Sequence, residues 1–180
     1  MKKKETRKYD VVIYNPDWAK QFNIIERELK NVFKNIAKAI EHVGSTSIEG
    51  MSGKPTIDIL VIVDDAAAVD SLNKEMEDLG YKVYGDYLKS GGRFFAKERN
   101  GERLVNVHCY ASDNPKAEEL LMLRDFLREN FNEAKAYADF KLDLFTKFPD
   151  DYFVYRKQKD VYMKDLLNRA RSWYDSMRKL

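Results

Sequence analysis

The chain has 180 residues, 44% hydrophobic and 34% charged, enough to bury a core without disulfide or metal staples. Its 32 basic and 30 acidic side chains leave a formal charge of +2, which argues against a nucleic-acid partner, since such binders concentrate a basic surplus. No apolar run reaches the roughly 18–20 residues that span a bilayer, and Cys109 is the single cysteine, so an internal disulfide and a zinc site built on several thiolates are excluded.

The basic start at Met1–Lys4 lacks the apolar segment of a secretory signal, so the expectation is a cytoplasmic protein. The Lys2–Lys8 run reads as a solvated terminus. Tyr9 to Tyr14 suits a short strand or an extended lead-in, stopped by Asn15-Pro16. From Asp17, the apolar stripe Trp18, Phe22, Ile25, Leu29, Val32 has helical spacing and predicts an amphipathic helix ending near Asn35. Ile40 to Val43 reads as a strand that runs into Gly44-Ser45-Thr46-Ser47. A loop of small residues continues through Gly50 and Gly53 to Lys54-Pro55. Thr56 to Val63 is rich in β-branched residues and apolar on both faces, as a central strand is, with Asp58 the one acid inside it.

Ala66 to Leu79 predicts a helix, with Gly80 at its C-terminal cap. Tyr81 to Tyr84 predicts a strand and Gly85 to Gly92 a loop. Arg93 to Arg99 and Glu102 to Tyr110 flank Asn100-Gly101, the strongest short signal for a two-residue hairpin. From Pro115 the pattern is helical. One face carries Leu120, Leu123, Phe126, Leu127 and Phe131, and another carries Ala136, Phe140, Leu144 and Phe148. A last helix after Pro149 carries Tyr155, Val161, Tyr162, Leu166 and Trp173. No linker or repeat divides residues 1–180, so the reading is a single α+β domain: a mixed sheet with flanking helices and a helical C-terminal half.

Four features carry candidate chemistry. Gly44-Ser45 at a strand end lets backbone and hydroxyl approach a phosphate, although a plain turn reads the same way. Asp58 in an apolar strand calls for a partner, a cation or a backbone donor. A hairpin closed at Asn100-Gly101 sets residue 99 opposite 102, hence Arg93 opposite His108 and Phe95 opposite Asn106. Strict alternation then puts Leu104, Asn106 and His108 on one face. Last comes a basic set on the later helices: Arg124 and Arg128, Lys141 four residues after Tyr137, Arg156, and Lys159 four residues after Tyr155. Solvated helix surfaces are the alternative for each.

Taken together, Asn15-Pro16-Asp17-Trp18, Glu41-His42-Val43-Gly44-Ser45-Thr46-Ser47, Lys54-Pro55-Thr56-Ile57-Asp58, Asn106-Val107-His108 and Leu123-Arg124-Asp125-Phe126-Leu127-Arg128 resemble the GrpB family over nearly the whole chain. That resemblance implies a nucleotidyltransferase-like fold, in which a Gly-Ser turn holds nucleotide phosphates and carboxylates on two later strands hold divalent metal. Gly44-Ser45 and Asp58 match the first two elements. Leu60 stands where the second carboxylate belongs, and Asn106 or His108 where the third does. One carboxylate with histidines favours a single ion such as zinc or manganese over paired magnesium. The resemblance therefore implies a site for a nucleotide or phosphorylated small molecule. Gly44, Ser45, Lys54, Arg93, Asn106, Arg124, Lys141 and Lys159 would meet phosphate, Asp58, His42 and His108 would meet Mg, Mn or Zn, and Asp58 with His108 would serve a nucleotidyl transfer. Rival expectations are a metabolite binder without transfer, a single-metal hydrolase, and an interaction module docking through Pro149–Leu180.

Overall fold

Helix α1 (Asp17–Phe33) forms where its stripe predicts: Trp18, Leu29 and Phe33 are buried, and Phe22, Ile25 and Val32 pack beside them. The computed structural model describes residues 9–178, so the basic run at 2–8 lies outside the described residues. After a short 3₁₀ turn, β1 (Ala37–Val43) begins three residues before the expected Ile40. It is followed by a 3₁₀ turn at Ser45–Ser47 and by β2 (Ile57–Val63), which is apolar on both faces except at Asp58.

Tyr9 to Tyr14 is not a strand. Only Val12 pairs, exchanging both backbone hydrogen bonds with Gly53 at 3.0 and 2.9 Å, before Pro16 turns the chain into α1. The helix expected over Ala66–Leu79 is also corrected. It divides into a 3₁₀ helix, Ala66–Leu72, and a short α2 (Asn73–Asp78). The buried residues of the first part, Ala66, Val69 and Leu72, recur every third position, a spacing that stacks them on one face of a 3₁₀ helix.

Strands β3 (Tyr81–Gly85), β4 (Arg93–Arg99) and β5 (Glu102–Ala111) complete a five-stranded sheet ordered β1-β2-β5-β4-β3. The β2–β5 pair is parallel and the other pairs are antiparallel. The hairpin closes at Asn100-Gly101 as predicted, but Leu104 is an extra residue in β5, and the register shifts there. Arg93 consequently lies opposite Cys109, Phe94 opposite His108 and Ala96 opposite Asn106. Asn106 and His108 share one face as expected, with Val105, Val107 and Cys109 on the other, but the bulge turns the half-buried Leu104 to the side of Val105 and Val107 and brings Arg103 to the side of Asn106.

One sheet face buries Ile57, Ile59, Val61, Val107 and Cys109 under α1, the 3₁₀ helix and α2. On the other face Val43, Leu60 and Tyr110 meet Ala117 of α3 (Pro115–Glu129). Pro115 follows Asn114, whose side chain accepts from the Lys116 N–H at 2.9 Å, which fixes the start of α3. Helices α4 (Phe131–Lys147) and α5 (Tyr152–Met177) pack on α3 through Phe126, Leu127, Ala138, Leu166 and Ala170, forming the helical C-terminal half. Phe131 and Val161, expected in the apolar faces, are exposed, as is Phe153. No helix among the described residues is long and apolar enough to cross a membrane.

Candidate functional site

Antiparallel pairing of β1 with β2 sets Val43 beside Asp58, and parallel pairing of β2 with β5 sets Asn106 beside it on the other side. Gly44 therefore turns directly over the carboxyl group. Its φ of +71° is left-handed, and a Cβ added there would lie 2.5 Å from Asp58 Oδ2, so glycine is required twice over. The turn delivers Ser45 to the start of a 3₁₀ turn braced by Ser47 Oγ, which donates to the Gly44 carbonyl at 2.7 Å.

Lys141, on α4, closes the site from the helical half. Its Nζ donates to Ser45 Oγ at 2.7 Å, across 96 residues of sequence, and the side chain is only 2% exposed. The ammonium sits 4.4 Å from the Tyr137 ring centre, one helical turn back. Gly53 lets the loop pass over this pair: a Cβ there would fall 2.8 Å from Ser45 Cβ and 3.4 Å from Lys141 Nζ. Burial, then the charges of Lys159 and Lys54, pull the Lys141 pKa down to about 7, with Asp58 opposing them. Lys54 and Lys159 thus lie near enough for their charges to act on Lys141, with Asp58 acting in the opposite sense and Lys159 itself 3.5 Å from the Asp160 carboxylate.

Asn106 Nδ2 donates to Asp58 Oδ1 at 2.7 Å, and Arg103 Nη1 donates to Asn106 Oδ1 at 3.1 Å. Arg103 is also paired with Glu98 at 2.7 Å. Lys54 Nζ donates to the Tyr152 hydroxyl at 3.0 Å. A cavity of about 690 Å³ opens beside this centre and shares Lys54 and Arg103 with it, walled by Thr56, Leu104 and Pro149.

The remaining expected residues fall in two groups. His108 shares the Asp58 face, pairing across the sheet with Leu60. Burial lowers its pKa, Arg103 adds to that, and Asp58 opposes it. Lys159 is near enough for its charge to act on Lys141. His42 is elsewhere. It pairs with Ile59, stacks on Phe22 at 4.7 Å on the α1 face, and shares a 2.9 Å hydrogen bond with Thr46 Oγ1. Burial, with Arg128 and Arg124, holds its pKa down to about 4. Because adjacent strand residues point to opposite faces, His42 cannot join Asp58 and His108 around one ion.

Arg93 is likewise displaced. It makes a two-pronged ion pair with Asp70 at 2.6 and 2.7 Å, on the far side of the sheet from Asp58. Arg124 is occupied by Glu41 and Asp125, both at 2.7 Å, and Arg128 holds the Ser47 carbonyl at 2.9 and 3.1 Å. These two arginines fix the turn after β1 from outside. Gly53 and Arg103 were not singled out from sequence. Only the bulge at Leu104 reveals Arg103, whereas Gly53 belongs to the small-residue loop and carried that much signal.

Among the described residues, the donor set around Asp58 does not by itself build a divalent-cation site. The next position on the same strand face is the fully buried, apolar Leu60, and no group of three His, Cys, Asp or Glu suited to a metal occurs among the described residues.

Comparison with known proteins agrees with the fold. The UPF0157 protein YqkA of Bacillus subtilis is 38% identical over 167 residues, which is 93% of this chain and 48% of that protein, so the chain spans about half of that relative's length. The crystal structure of conserved protein GrpB from Enterococcus faecalis superposes with a TM-score of 0.86 at 35% identity, covering 92% of this chain and 99% of that one. The Cid1 poly(U) polymerase superposes with a TM-score of 0.51 at 11% identity, over 76% of this chain and 44% of that one, a likeness of nucleotidyltransferase fold alone. The family model described as GrpB protein matches residues 8–169, and the chain belongs to the GrpB family.

Proposed function

We propose that the site binds the phosphate chain of a nucleotide or another phosphorylated small molecule. The observation that carries this reading is the buried Lys141–Ser45 contact at 2.7 Å, with Lys54 and Lys159 acting on the same ammonium. Burying a lysine among like charges is costly unless an anion completes the cluster, and a phosphate supplies both the charge and the acceptor oxygens. The Gly44 turn and the Ser45 hydroxyl face that anion, and the lysines neutralise charge that a protein-held cation neutralises elsewhere in this fold class.

Asp58 marks the side on which an acceptor would enter. In a nucleotidyl transfer, the acceptor hydroxyl oxygen forms a bond to the α-phosphorus. The bond from that phosphorus to the bridging oxygen breaks, pyrophosphate leaves, and the hydroxyl proton passes to the Asp58 carboxyl group. Asn106 orients that group through its 2.7 Å hydrogen bond.

Calorimetry with pyrophosphate and ATP, after exhaustive chelation, tests the reading. Binding should persist without metal and weaken by about tenfold or more in Lys141→Met, the scale expected for a charge-assisted hydrogen bond. Absence of binding by either ligand to the wild-type chain, with and without added magnesium, would overturn it.

A further inference from the structure

Beside Asp58, the sheet presents a row of rings. Tyr84 lies 5.4 Å from Phe94 and Phe94 lies 4.9 Å from His108, centre to centre, and Tyr87 stands 5.8 Å beyond Tyr84. Tyr84, Phe94 and His108 are half-buried, and Tyr87 is 64% exposed. The row follows from register. Phe94 is opposite His108, and the bulge at Leu104 brings Arg103 to the same face, where its guanidinium lies 5.4 Å from the Tyr84 ring centre and 5.7 Å from that of Phe94.

The helices that pack on the β3–β4 edge, the 3₁₀ helix and α2, bury Val69, Leu72 and Met76 on the opposite face. On the ring face, α3 reaches β1, β2 and β5. The row is continuous with the polar centre: the Arg103 guanidinium that touches Tyr84 and Phe94 also donates to Asn106, which donates to Asp58. Arg103 Nε is buried with no hydrogen-bond partner, an orphaned donor within the row.

We infer that this ring-lined sheet face is a second binding site, for a flat aromatic or heteroaromatic compound whose hydroxyl group reaches Asp58. The rings are tilted by 39–61° to one another at 4.9–5.8 Å spacing, a mixture of faces and edges that suits the quadrupole of a planar aromatic ligand and not a saturated ring. Charge selects a neutral ligand, because the formal charges of Lys82 and Arg103 are balanced by Glu98, 2.7 Å from each, and by Asp58, which Arg103 reaches through Asn106. A neutral His108 imidazole, favoured by its burial, keeps that ring a stacking surface rather than a cation. The inference deepens the phosphate-site reading, since it assigns the acceptor side of the same centre.

The test is saturation-transfer and chemical-shift NMR with 7-hydroxycoumarin, a flat hydroxylated probe, against cyclohexanol. The coumarin should bind, with shifts centred on Tyr84, Phe94 and His108, and cyclohexanol should bind far more weakly. Tyr84→Leu should weaken coumarin binding by about tenfold and Tyr84→Phe should preserve it, while pyrophosphate affinity stays unchanged in both variants. Equal binding of cyclohexanol, shifts located elsewhere, or full coumarin affinity in Tyr84→Leu would overturn the inference. Failure of pyrophosphate to bind would instead strike the phosphate reading and leave this assignment to its own result.

Discussion

Lys141 releases its proton more readily than a lysine in water because burial and two neighbouring lysines penalise its charge. Its pKa of about 7, against an ordinary 10.5, fixes the sign of two effects. Between those values the unfolded chain holds more protons than the folded one, so this group's contribution to stability rises with pH across that window. Denaturant unfolding at a series of pH values should show that rise in the wild type and a flatter curve in Lys141→Met. Phosphate has the opposite dependence: it prefers the ammonium, so pyrophosphate affinity should fall as pH rises above 7. Near and just above pH 7, binding should be accompanied by proton uptake at Lys141, detectable by calorimetry in buffers of different ionisation enthalpy, and the uptake should vanish well below that value. Gly44 is the second residue whose chemistry is sharply constrained. Gly44→Ala combines a left-handed φ with a Cβ 2.5 Å from Asp58 Oδ2 and should cost about 3 kcal/mol in equilibrium unfolding.

At the scale of elements, α1, β2, the hairpin turn and the C-terminal helices were legible because each carries its own periodicity or punctuation. The every-third spacing of Ala66, Val69 and Leu72 was a local signal, whereas the misreadings that bear on the site have a non-local origin. The extra residue at Leu104 has no local signature, yet it moves Arg93 away from His108 and brings Arg103 to Asn106. His42 neighbours the Gly-Ser turn in sequence, but strand alternation sends it to the α1 face, where Phe22 covers it. Lys141 was visible as a helix-surface lysine four residues after Tyr137; its burial came from the docking of α4 over Gly53 and Ser45, which only three-dimensional packing supplies. His42 also gives β1 a measurable pH response. With its pKa held down to about 4, the unfolded chain binds the extra proton first as pH falls from 6.5, so stability should drop over that interval by on the order of 3 kcal/mol. His42→Gln should remove most of that drop in parallel unfolding curves.

At the scale of the molecule, the sheet and the helical half share one polar seam. Gly44, Ser45, Gly53 and Asp58 come from the sheet side, and Lys141 and Lys159 come from α4 and α5. The seam keeps its geometry only while α3, α4 and α5 remain packed, and Leu166, fully buried among them, is central to that packing. Leu166→Ala should cost about 2–5 kcal/mol and loosen pyrophosphate binding even though Leu166 is not among the site's residues. The fold is like that of the Cid1 poly(U) polymerase, and where the sequence resemblance implied further carboxylates this chain has Leu60 and Asn106, with Lys141 and Lys159 nearby.

The most direct measurement is an NMR titration of the Lys141 side-chain nitrogen, assigned by comparison with Lys141→Met, with and without pyrophosphate. The expected result is a free-state midpoint near 7 that moves upward when pyrophosphate binds. A midpoint at the ordinary lysine value, or one that pyrophosphate leaves unmoved, would contradict it.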